Sequence, residues 1–124
     1  MKSGGQETRI AGTALLTNDQ SIPLSPKLAA AVGVNEALVL QQVHFLLGLK
    51  AGGKVIKGTR WIWNTVQEWR RRYFPFLSVR TLERVITGLE RKHLLLSCQP
   101  DGHLSRKKYY RVNYPALNLS LIHI

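Results

Sequence analysis

The apolar positions along this chain change rhythm several times, and each change marks an element. Ser25-Pro26 opens the first clear helix, because a serine side chain accepts from the open N–H groups of the first turn and proline loses nothing there. That helix is predicted to run from Pro26 to Val32 and to stop at Gly33. A second is predicted over Glu36–Leu49, capped by Asn35. On a helical wheel Val39, Leu40, Val43, Leu46 and Leu47 share one arc of about 120°, while Leu38, Phe45 and Leu49 gather on a second side, so this helix is expected to be largely enclosed. Ala51-Gly52-Gly53 then breaks the chain, and Lys54–Lys57 with Arg60–Trp63 flank Gly58-Thr59 as a short hairpin. Strand side chains alternate, so Trp61 and Trp63 share a face; they are read as core anchors under the helices in preference to a base-stacking role.

The second half reads as helix, turn, helix, hairpin. Thr65 and Glu68 form an S/T-x-x-E capping box, Trp69 is expected in the core, and Arg70-Arg71-Arg72 suits the negative end of the helix dipole. Pro75 ends that helix, and Ser78 caps another that runs to about His93. In this last helix Val79, Leu82, Val85, Ile86 and Leu89 fall in one arc of about 120°, and Arg80, Arg84, Thr87 and Arg91 lie roughly opposite. Gly88 beside the arginines is a mild objection, for which a close approach of another backbone is one use. Leu94–Cys98 and Lys107–Val112 are predicted strands around the turn Pro100-Asp101-Gly102, and Tyr114-Pro115 closes the domain. The expected fold class is therefore α+β, mainly α with a β-hairpin wing: a winged helix-turn-helix over residues 13–117. Residues 1–12 lack periodicity and are expected to be disordered. Ala14–Leu16 is a candidate short strand ended by Thr17-Asn18-Asp19-Gln20, and residues 118–124 form a tail.

Charge sharpens this picture. The 124 residues carry 18 Lys+Arg against 7 Asp+Glu, a formal +11, and 14 of those cations with only 4 of the carboxylates lie between Lys54 and Arg111. Such a concentration repels itself unless a polyanion neutralises it, and nucleic acid is the commonest one. The single cysteine, Cys98, can build neither a disulfide nor a thiolate cluster, and is read as a small apolar strand residue in a reducing cytoplasm. The N-terminus lacks the apolar core of a signal peptide. Ala37–Leu49 is too short and polar to span a bilayer, so a soluble protein without membrane association is expected. His44, His93, His103 and His123 have no metal-ligand spacing, Gly52-Gly53 lacks the ending of a phosphate loop, and the carboxylates are scattered. Neither an enzyme nor a cofactor or metal site is expected.

The expected partner is double-stranded DNA. Arginine grips guanine O6 and N7, or a phosphate, with its planar fork, and the start of a recognition helix meets the base edges. Arg80, Thr81 and Arg84 are thus the leading candidates for base contact, with Thr87 beside them and Arg91 near a phosphate. In the wing, Arg106, Lys107, Lys108 and Arg111 are candidates for the phosphate backbone. Tyr110 and Val112 are expected in the core, with Lys107 and Arg111 in solvent. About five phosphates would be neutralised in all. A solvated cationic face is the alternative for both groups.

Several stretches carry a family likeness: Ile22-Pro23-Leu24 and Leu28-Ala29, Gly33-Val34-Asn35-Glu36-Ala37, Gln41-Gln42-Val43-His44-Phe45, Trp61-Ile62-Trp63-Asn64-Thr65, Glu68-Trp69, Phe74-Pro75-Phe76 with Ser78 to Thr81, Leu89-Glu90, and Tyr109 to Tyr114. In order and spacing they resemble the N-terminal winged-helix domain of phage and mobile-element replication proteins, the DnaD-like replisome organisers. The resemblance covers roughly residues 14–117 and implies an origin-binding module for replication initiation. It also implies recruitment of helicase-loading proteins, in which a further C-terminal region is expected to take part. Leu119–Ile124 resembles the translation of a sequencing adaptor read in frame, so the natural chain is expected to continue beyond Asn118. Two other functions fit the same pattern: a winged-helix transcriptional regulator and a protein-interaction module of a replisome.

Overall fold

Local capping decides where the helices begin. In the computed structural model, which describes residues 22–49, 53–100, 102 and 107–122, helix α1 spans Pro26–Val32, and the Ser25 hydroxyl accepts from the Leu28 N–H at 3.2 Å. Gly33 follows with φ at 105°, where a Cβ would collide with the Glu36 carboxylate. A glycine there bends the chain by 120° into α2, Val34–Gly48. Helix α2 thus starts two residues ahead of Glu36. Gly33 is its N-cap in place of Asn35, because the Gly33 carbonyl already accepts from Ala37 at 2.9 Å.

Two further helices, α3 over Val66–Arg72 and α4 over Val79–Arg91, separate two pairs of strands. Strands β1 (Lys54–Ile56) and β2 (Thr59–Asn64) meet at the two-residue turn Lys57-Gly58. Both of its φ angles are positive, as a hairpin matching the strand twist requires. Strands β3 (Leu95–Cys98) and β4 (Lys108–Val112) complete an antiparallel sheet of order β1-β2-β4-β3. A fifth helix, α5 (Tyr114–Ile122), follows where the sequence suggested a domain end. It runs without a break across Asn118, and Pro115 sits in its first turn, where a missing N–H costs nothing. The described residues are thus a mixed α+β fold of five helices and four strands.

The core lies between one face of the sheet and helices α2, α3 and α4. Leu40, Val43, Phe74, Leu82, Leu89, Tyr110 and Val112 are its most deeply enclosed members. Truncating any of the leucines to alanine is expected to cost about 2–5 kcal/mol. The burial expected from the sequence differs from the structure at β2 and at α2. Ile62 and Asn64 of β2 point inward, whereas Trp61 is half-buried and Trp63 is 42% exposed on the opposite face. Pairing decides this: Ile62 stands across from Tyr110 on β4, and turning the tryptophans inward would need a slip of one residue. Helix α2 is also less enclosed than expected. Val39, Leu40 and Val43 are buried, but Phe45 and Leu49 are exposed, because α2 packs on the sheet and α4 through one side only.

The expected disorder of residues 1–12, the strand at Ala14–Leu16, His103, Arg106 and His123 fall outside the described residues. Among the described residues, no single helix is long and apolar enough to cross a membrane.

Candidate nucleic-acid interface

The connection between α3 and α4 is fixed at both ends. Thr65 accepts from the Glu68 N–H at 3.1 Å, which is half of the expected capping box. The Glu68 carboxylate turns instead to Arg71 at 2.7 Å, and that hydrogen bond holds its pKa below the usual carboxylate range. Phe74, fully buried, plugs the turn into the core, and Leu77 donates back to its carbonyl at 3.1 Å. Across the same turn, Arg70 Nε donates to the Leu77 carbonyl at 2.8 Å. Ser78 then caps α4, accepting from the Thr81 N–H at 3.1 Å and donating to the Thr81 hydroxyl at 3.0 Å. These bonds orient the first turn of α4 and occupy part of Thr81, which is half-buried.

Helix α4 divides as its sequence predicts. Leu82, Val85, Ile86 and Leu89 are buried, and Arg80, Arg84, Thr87 and Arg91 are exposed. Glu83, three residues after Arg80, forms no ion pair with it, and among the described residues Arg80, Arg84 and Arg91 meet no carboxylate. Gly88 has open space where a Cβ would stand, so close approach of another protein backbone does not explain it.

Glu90, which the sequence marks only as part of the family likeness, has a structural role that sequence reasoning did not assign. Its carboxylate accepts from Lys108 Nζ at 2.8 Å and from the Ser97 hydroxyl, tying α4 to both β3 and β4. Lys108 is therefore engaged by the fold and does not project toward a phosphate, a correction with a simple cause: it lies on the inner sheet face, which is turned toward α4. Burial and the Glu90 charge push the Tyr110 phenol well above its usual pKa. Below Glu90 the helix ends through His93, in the left-handed region at φ 59°, whose carbonyl accepts from Asn113 Nδ2 at 2.7 Å. The spacing of 18 residues between Glu90 and Lys108 carries no local sequence signal.

Arg111 is also corrected. It is half-buried, donates to the Arg60 carbonyl at 3.0 Å and lies over the Trp61 ring, so it is not in solvent as expected. Lys107 is exposed, with its ammonium 4.5 Å from the centre of the Trp63 ring. Both leave the sheet from the face opposite α4. The structure thus brings Arg80, Arg84, Thr87 and Arg91 together on one helix face and sets Lys107 and Arg111 apart from them. Cys98 lies half-buried on β3, and burial raises its thiol pKa. Among the described residues no three His, Cys, Asp or Glu side chains gather as a metal would require.

Comparison with protein-family models, with curated proteins and with solved structures gives no match for the chain.

Proposed function

We propose that this protein binds double-stranded DNA as a winged helix-turn-helix module, with α3 and α4 as the helix pair and β3–β4 as the wing. The observation that carries the reading is the row Arg80, Arg84, Thr87 and Arg91: exposed, aligned on α4, and lacking a carboxylate among the described residues. A helix fits the B-DNA major groove. Guanidinium groups projecting from its first two turns suit guanine edges, and one a further two turns along suits a phosphate. Arg80 and Arg84 take the base-reading role and Arg91 the backbone role. Thr81, whose hydroxyl already serves the Ser78 cap, takes a lesser part.

Within DNA binding, the resemblance to DnaD-like replication proteins supports an origin-binding module of a phage or mobile-element initiator. Footprinting across the element that encodes the chain separates that role from a transcriptional regulator, since an initiator protects origin repeats and a regulator protects promoters.

The decisive measurement is duplex affinity against salt. Arg80, Arg84 and Arg91 bring three cations to the duplex and each displaces condensed counterions, whether it grips a base edge or a phosphate, so log K is expected to fall with a slope of about −3 against log salt. That is shallower than the five-contact expectation, because Lys108 and Arg111 are engaged elsewhere. Absence of duplex binding at low salt sinks the proposal.

A further inference from the structure

The sheet face turned away from α4 carries a second arrangement of cations. Trp61 and Trp63 stand side by side on β2, about 7 Å apart by strand geometry. Tyr109 on β4 pairs across from Trp63 and forms a buried floor beside it. Each of the three rings has a cation against it: Arg111 at Trp61, Lys107 at Trp63 at 4.5 Å, and Lys54 at Tyr109 at 5.8 Å. Among the described residues, the helices that meet the sheet do so on its other side, through Leu95, Tyr110 and Val112. Trp63 is covered over part of its surface by its neighbours, and the 42% that stays exposed is an apolar ring face open to some other contact.

We propose that this face binds single-stranded nucleic acid, with bases stacking on Trp63 and on the open part of Trp61, and phosphates met by Lys107 and Lys54, while Arg111 stays with the Arg60 carbonyl and the Trp61 ring. Aromatic rings on an open sheet with basic side chains between them suit unpaired bases, because every base offers a π-face to a ring and a phosphate to a cation. A duplex cannot use the rings, since its bases already stack on one another. An apolar protein partner is disfavoured by the cation on every ring. The Lys107 ammonium does not block Trp63: an exposed cation–π contact is weaker than base stacking, and the flexible stem lets the charge leave the ring for a phosphate. The inference does not rest on α4 and uses the opposite side of the molecule.

Titration of the full chain with a dT12 oligonucleotide, read by tryptophan fluorescence and by anisotropy, tests it. Trp69 is 3% exposed, so quenching by the oligonucleotide reports on Trp61 and Trp63. Quenching is expected on binding. Trp63→Ala is expected to weaken binding about 10-fold, and Trp63→Phe to retain most of it. Lys107→Glu keeps the ring and is expected to weaken binding and flatten its salt dependence. Arg80→Ala with Arg84→Ala is expected to weaken duplex binding about 100-fold or more while leaving dT12 affinity within about 2-fold, which separates the two surfaces. Binding without quenching, equal affinity of Trp63→Ala, or loss of dT12 together with duplex in the α4 variant overturns the proposal.

Discussion

Arg84 and Arg111 have the same guanidinium and opposite circumstances. Arg84 stands on α4 in solvent with no carboxylate near it among the described residues, whereas Arg111 lies along Trp61 and donates to the Arg60 carbonyl. The contrast extends across the molecule. Arg80 and Arg91 belong with Arg84; Arg70, which clasps the Leu77 carbonyl, and Lys108, which is held by Glu90, belong with Arg111. A net charge of +11 therefore does not locate a ligand. Part of it is consumed in fixing the turn and hairpin around α4, and the remainder is divided between the α4 face and the outer face of the sheet.

Replacing both Arg80 and Arg84 with alanine should break the contrast most severely. Each base-gripping arginine is worth about 1–3 kcal/mol, so the pair is expected to cost about 100-fold or more in duplex affinity with little change in melting temperature. Anisotropy and thermal melts on the same samples check this; a matching fall in stability would move both residues into the structural set. Glu90→Ala acts on the other side. It strands Lys108 and Ser97 and is expected to lower stability by about 2 kcal/mol in urea unfolding.

Alkaline titration probes the same region. The unfolded phenol titrates near pH ~10, while that of Tyr110 in the folded chain lies higher, so the unfolded state loses its proton first. Stability from this group is expected to be intact below pH ~10 and to fall by about 1.4 kcal/mol per unit above it. Tyr110→Phe should remove that part of the fall. Gly88→Ala fills open space in a helix interior and is expected to add about 1 kcal/mol. If the α4 face enters a groove, the same methyl also perturbs duplex binding, so affinity and stability should move in opposite directions. Smallest of all, Arg71→Ala removes an exposed pair with Glu68 and should change stability by less than about 0.5 kcal/mol.

What the sequence revealed follows from range. Ser25, Thr65 and Ser78 act within three residues, and all three caps stand where their residue types predict. The two sides of α4 were legible because buried and exposed positions recur at helical spacing over 13 residues. Alternation alone says that Trp61 and Trp63 share a face but not which face is inside; that depends on Ile62 meeting Tyr110 from a strand far along the chain. Glu90 with Lys108 and Arg111 with Arg60 are long-range choices of the same kind. Helix α5 was hidden by reading Pro115 as a stop, although a proline in a first turn is equally a start.

The Glu90 carboxylate has one more consequence. Because it fastens both strands of the β3–β4 pair to the last turn of α4 on their loop side, and Asn113 fastens the other end of β4 to the His93 carbonyl, the hairpin is held to the helix at both ends of β4. A torque that rolls the helix about its axis must swing the hairpin with it. Helix and strands therefore turn as one body, so a rotation imposed on α4 is carried undiminished into β3 and β4.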